Sequence, residues 1–191
     1  AHHNASWGFY LNNPGNSQML RNASYVNRYG MYVNNGTGMA WVGSTDLAAG
    51  DGNLIHDNTY TGLSLSGGGV HAAGNAIWGH VTTNTYGLQV SSGGSASYNL
   101  VYGNYHGIDA YSASTGAISY NRVYNNTDLG NYGYYSSLIG NVVYSNARGI
   151  YWTGHGNYVA RNNLVYDNSG YGLSLTGSDL RVTNNSIIQQ A

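Results

Sequence analysis

The chain has 191 residues, enough for one domain with a substantial core, yet only 7% of them are charged and none is Lys or Glu. The six basic residues are all Arg and the seven acids all Asp, a formal net charge of −1 that excludes the basic footprint of a nucleic-acid binder, while 41% hydrophobic content with 20 Tyr excludes disorder. There is no Cys for a disulfide, and no apolar run approaches the roughly 20 residues that span a membrane as a helix.

Read in chain order, one six-residue unit returns. It first reads NASYVN from Asn22, then NLIHDN from Asn53, NAIWGH from Asn75 and NLVYGN from Asn99. It continues as NRVYNN from Asn121, NVVYSN from Asn141, NLVYDN from Asn163 and NSIIQQ from Asn185, a period of about 22. With each first Asn as position 0, position +2 is β-branched in all but Ser24, and position +3 is aromatic or His in all but Ile188. Position +5 is Asn except at His80 and Gln190. A second element follows, Gly and then alternation: GMYV at 30, GLSL at 62, GLQV at 87, GIDA at 107, GIYW at 149 and GLSL at 172. A third apolar column precedes the next Asn at Met19, Ala72, Ala96, Ile118, Leu138, Ala160 and Val182.

Three elements of two to four residues per period, separated by Gly, Asn and Ser turns, are strands and not helices. Because every repeat sends the same residue types to the same places, the economical arrangement is a solenoid. Each repeat is one coil, and equivalent strands stack in parallel about 4.8 Å apart. The N-x-[IV]-Y-x-N-x-x-G-[IL] unit resembles the repeat of right-handed parallel β-helix proteins, the pectate-lyase-like superfamily. The resemblance implies an all-β, right-handed parallel β-helix solenoid of about eight coils of about 22 residues. No segment reads as an end cap. A single β-helix domain is expected over 1–191, with a loop insertion near 36–52.

The columns carry physical expectations. Stacked Asn at positions 0 and +5 are expected to hydrogen-bond along the rod. With +2 pointing inward, +3 points outward, which makes Tyr102, Tyr124, Tyr144 and Tyr166 a stripe that serves either as a stabilising stack or as a glycan-stacking surface. Position +7 places His106, Asp128 and Arg148 on consecutive coils, a candidate catalytic relay in which Arg148 holds Asp128 ionised and Asp128 raises the basicity of His106; the alternative is a surface ion pair beside a His. Trp41, Asp46 and Asp51 are the expected contacts of the inserted loop. Asn4, Asn35 and Asn125 are candidate N-glycosylation acceptors, with Asn35 the preferred one.

Enzymes of the superfamily use an Arg base beside a calcium carboxylate site, a cluster of Asp, or an Asp-Pro-His-Asp type motif. Here the single Pro is Pro14 and the Asp residues scatter among columns, so none of those sites carries over. No cofactor and no metal site is expected.

The leading expectation is therefore an extracellular or cell-surface structural β-helix, a filament subunit or surface-protein shaft. Ala1 at position +2 and Ala191 at position +6 nearly share a phase, so copies of the chain are the expected head-to-tail partner if it is a whole mature protein. If it is an excerpt, further coils lie outside it. The alternative is a carbohydrate-active β-helix, a polysaccharide lyase or epimerase, or a glycan-binding module whose partner is polysaccharide.

Overall fold

The computed structural model describes residues 1–111, 117–155 and 157–189. Three parallel sheets of eight strands each wind into a parallel β-helix of about eight turns. Sheet I begins with Trp7–Asn12 and Tyr29–Asn34, sheet II with Ser17–Met19 and Ala40–Gly43, and sheet III with Ala23–Tyr25 and Leu54–His56. The repeated six-residue unit forms sheet III and the Gly-led alternation forms sheet I. The third apolar column is the inward row of sheet II, where Met19 pairs with Val42, Val42 with Ala72, and so on to Ala160 with Val182.

Alternation explains which side chains are inside. In sheet III, Ile55, Ile77, Val101, Val123, Val143 and Val165 are fully buried, and sheet I adds Met31, Leu63, Leu88, Ile108 and Ile150 in a second inward row. Leaving each of the first seven strands of sheet III, the backbone turns at one left-handed residue: Val26, Asp57, Gly79, Gly103, Asn125, Ser145 and Asp167, with φ between 52° and 78°. For a β-branched residue such as Val26 that conformation costs roughly 1–2 kcal/mol. The Asn that follows offsets it by bonding the neighbouring coil.

Both Asn ladders form. At position 0, each Asn donates from its backbone N–H and its side-chain amide to the Oδ1 of the next, unbroken from Asn22 to Asn185. The second ladder starts at Asn4, whose amide donates to Asn27 Oδ1 at 2.8 Å. Within it His80 substitutes for Asn: its Nδ1–H donates to Asn104 Oδ1 at 2.8 Å, and its Nε2 accepts from Asn58 Nδ2 at 3.1 Å. Gln190, expected in this ladder, lies outside the described residues, and Gln189 meets Asn168 instead, donating to its carbonyl at 2.6 Å.

The Gly opening each sheet I segment is required by space. A Cβ on Gly107 would lie 2.6 Å from Val123 Cγ1 and would collide with the Gly130 carbonyl oxygen of the next coil. Gly30, Gly87, Gly130 and Gly149 meet equivalent obstacles.

The loop insertion is narrower than 36–52. Ala40–Gly43 within that span is a regular strand pairing with Ser17–Met19 and Val70–Ala73. The extra length lies at 44–53, a corner that the next coil turns with Gly74 and Asn75 alone. The alternation of Ala40 and Val42 was masked by flanking Gly.

Candidate functional site

Residues capable of proton chemistry gather on the outer face of sheet I. Tyr86–Ser91, His106–Tyr111, Leu129–Tyr134 and Arg148–His155 are adjacent strands there. Their outward side chains at one level are Tyr86, His106, Leu129 and Arg148, and three residues further on Gln89 pairs with Asp109 and Asp109 with Tyr132. Tyr86, His106, Leu129 and Tyr132 line a cleft of about 200 Å³.

The expected column of His106, Asp128 and Arg148 is off by one residue in register. Ile108 pairs with Asn131 and Asn131 with Ile150, which puts Leu129 opposite Arg148 and leaves Asp128 just before the strand. The coil beginning at Asn121 carries one extra residue ahead of its sheet I strand, and counting from Asn121 hides it. The three side chains nevertheless meet. Arg148 Nε donates to Asp128 Oδ1 at 2.6 Å and a second guanidinium nitrogen also contacts that oxygen. Asp128 Oδ2 lies 3.5 Å from His106 Nδ1, near enough for attraction but too far for a good hydrogen bond, and Nδ1 is buried with no hydrogen-bond partner.

His106 stacks on Tyr86 with centroids 5.2 Å apart and packs edge-on against Tyr105 at 4.6 Å. Burial pushes its pKa below the ordinary 6.5; the Asp128 charge pulls it up and Arg148 pushes it further down. The imidazole is therefore neutral at pH 7. Asp109, three residues along the same strand, is 5% exposed and accepts a hydrogen bond from Gln89 Nε2 at 3.0 Å. Burial pushes this carboxyl above its ordinary value although the Gln89 bond opposes the shift. The phenols of Tyr86 and Tyr132 are raised by burial first and then by the Asp109 charge. One strand thus presents a proton acceptor beside a carboxyl that keeps its proton to higher pH than usual. Asp109 was missed in the sequence because it occupies no repeated Asp column; its nearness to His106, three residues away in HGIDA, was the available signal.

The Tyr stripe on sheet III forms. Tyr25, His56, Trp78, Tyr102, Tyr124, Tyr144 and Tyr166 stack with centroids 4.3–5.7 Å apart and planes within 9° of parallel. Their faces cover one another, so the stripe presents ring edges to solvent. Arg122 adds a cation 5.5 Å from the Tyr144 ring centroid.

Trp41 lies in a strand, against His71 at 4.7 Å. Asp46 caps the short helix Leu47–Ala49 by accepting from Ala48 and Ala49 N–H, and Asp51 accepts from Arg21 Nε at 2.7 Å, so both loop carboxylates are engaged internally. Asn35, expected to be the best glycan acceptor, is 1% exposed and donates to the Gly15 carbonyl at 3.1 Å, which closes it to modification in the folded chain. Asn4 and Asn125 are exposed.

A family model described as "NosD: Periplasmic copper-binding protein (NosD)" matches residues 45–191. No curated protein and no solved structure matches the chain. The family's description names copper, which favours clustered imidazole and sulfur donors. Among the described residues no three His, Cys, Asp or Glu side chains come together as a metal site. Three imidazoles are engaged by other side chains, His56 with Asp57, His71 with Ser95 and His80 with two Asn, while His2 and His3 meet as a pair at 2.6 Å between their Nδ1 atoms. Met19 and Met31 are in the core. Among the described residues these donors form no three-ligand copper site, and no chemistry is routed through the metal.

Proposed function

Because the chain belongs to the NosD family, most of its length matching that family of periplasmic parallel β-helix proteins, we propose that it works in the cell envelope, on the periplasmic or extracellular side, as a rigid β-helical shaft. One observation supports this reading above others: the interior Asn side chains of both corners are spent on bonding coil to coil, from Asn22 to Asn185 in one ladder and from Asn4 to Gln189 in the other. Bending or unwinding such a rod breaks several buried hydrogen bonds at once. The partner of the shaft in this proposal is another copy, coil against coil, and the low charge keeps repulsion between copies small. Electron microscopy of immunolabelled native material is the test. Straight rods are expected, and compact isolated particles at high concentration would overturn the reading.

The buried, unpartnered Nδ1 of His106 beside Asp109 favours a second reading, proton transfer on a polysaccharide lying across sheet I. Ultraviolet absorbance of unsaturated uronates across a polysaccharide panel tests it, with His106→Ala and Asp109→Asn as comparisons. Absence of activity in the wild-type protein removes it.

A further inference from the structure

A second concavity lies on sheet II, away from the sheet I cleft. It is a groove of about 500 Å³, within the range of small-molecule sites, between the first two strands of that sheet and the 44–53 corner. Asn16, Ser17 and Gln18 form one side and Met39, Trp41, Ser44 and Thr45 the other.

Trp41 differs from most other aromatics of the rod. In sheet III the interior rings have both faces covered by neighbours. Trp41 has His71 against one face, while its register neighbour on the other side is Gln18. Trp41 lines the groove and no residue of the His71 coil does, so the groove lies on the side of the indole away from His71. His71 is held in place by Ser95 Oγ at 2.7 Å from its Nδ1, and burial keeps it neutral. The indole therefore rests on a fixed, uncharged support.

The polar groups around that face are uncharged and partly free. Asn16 Oδ1 accepts from Met39 N–H at 2.9 Å, leaving the Asn16 amide N–H groups to the groove. Ser44 Oγ accepts from Asp46 N–H at 3.1 Å, leaving its proton to donate. Ser17 Oγ donates to the Pro14 carbonyl at 2.6 Å and keeps its lone pairs. Gln18 carries a full amide beside them. An aromatic face ringed by neutral donors and acceptors matches the apolar C–H face and equatorial hydroxyls of a sugar ring. No cation lines the groove to recognise a carboxylate or sulfate. The 44–53 corner supplies Ser44 and Thr45, which gives this one enlarged turn of the solenoid a use.

We propose that this groove binds a neutral pyranose unit of a glycan, stacked on the face of Trp41 away from His71. The site is independent of the shaft reading: a shaft anchored to neutral glycan would use it, and so would a soluble binder.

The test is isothermal titration and saturation-transfer NMR of the whole chain with neutral hexaoses of glucose, xylose and mannose, and with oligogalacturonate as the polyanionic comparison. At least one neutral hexaose is expected to bind, with Trp41 ring protons among those saturated. Trp41→Ala is expected to weaken binding at least about tenfold, the scale of one aromatic contact. Trp41→Tyr, which keeps a ring, is expected to retain most of it, and Trp78→Ala in the covered ladder to leave it unchanged. Should Trp41→Ala fail to fold, Gln18→Ala and the wild-type saturation pattern carry the test. No binding of any neutral hexaose, preference for oligogalacturonate, or contact signals that avoid Trp41 would each overturn the proposal. Rod morphology is read separately, so either reading can fail alone.

Discussion

Replacing Asn121 with Ala removes one rung from the middle of the first ladder. Asn121 is 1% exposed. Its Oδ1 accepts from Asn99 N–H at 2.9 Å and from Asn99 Nδ2 at 3.0 Å, and its own Nδ2 donates to Asn141 Oδ1 at 3.1 Å and the Ala96 carbonyl at 3.0 Å. In the variant, Asn141 Oδ1 still receives the backbone N–H of residue 121. The two Asn99 donors and the Ala96 carbonyl are left without these partners in a dry corner. At about 1–3 kcal/mol for each buried unsatisfied group, with partial relaxation, the loss is about 4 kcal/mol. That is a large fraction of a typical total stability of about 5–15 kcal/mol. Urea unfolding followed by circular dichroism measures it, with Tyr124→Ser on the half-buried stripe as the milder comparison, expected near 1 kcal/mol. A loss below about 1 kcal/mol for Asn121→Ala would refute the reasoning that ladder bonds are dry and individually required.

Other outcomes follow from the same contacts. Burial lowers His80 to about 4; its Asn104 bond and the Asp57 charge oppose that shift and nearby His56 adds to it. Protonation would also turn a second N–H toward the Asn58 amide that His80 Nε2 now accepts from. Since the unfolded imidazole titrates near 6.5, the unfolded chain binds more protons between the two values. Stability is then full above about 6.5 and falls by about 3 kcal/mol as pH drops toward 4. His80→Asn should flatten this dependence in urea midpoints taken from pH 7 to 4, and an unchanged slope would show that His80 is not its source. Asn131, 0% exposed between Ile108 and Ile150 with neither amide atom hydrogen-bonded, is a cost within the core; Asn131→Leu should stabilise by about 2 kcal/mol in the same assay, and a loss would mean its amide is satisfied. Gly107→Ala should destabilise by about 2 kcal/mol or more through overpacking against Val123 and the next coil, whereas a change under about 0.5 kcal/mol would show that the coils give way easily. Asp128→Asn removes the charge that raises His106, so the imidazole should titrate at still lower pH by NMR, and an unmoved titration would show that the 3.5 Å approach has no electrostatic effect.

Legibility varied with how strictly a residue obeyed the repeat. Val101, Val123 and Val143 sit at equal intervals from their Asn and could be placed in the core by counting. Asn131 breaks the pattern that Gly followed by Met, Ile or Leu sets elsewhere, and its coil also carries the extra residue before Leu129. The sheet I segment of that coil was therefore absent from the repeat, and the relay column was placed one residue out. Asp109 escaped for a related reason, since a residue that occurs once leaves no column to read. The burial that raises its carboxyl comes from surrounding side chains such as Tyr86 and Tyr132 on neighbouring coils.

The sequence by itself determined the parallel β-helix, the two Asn ladders, the inward β-branched rows and the outward Tyr stripe. Each is a periodic property, and in a solenoid the same interval along the chain returns each residue to the same place on the coil. Only the tertiary structure decided that the Tyr rings cover one another's faces, that Asn35 is closed, that 40–43 is strand and that Trp41 borders a groove on the side away from His71. Those facts depend on the distance and orientation between a side chain and the particular residue one coil away, and a repeat count holds no information about either.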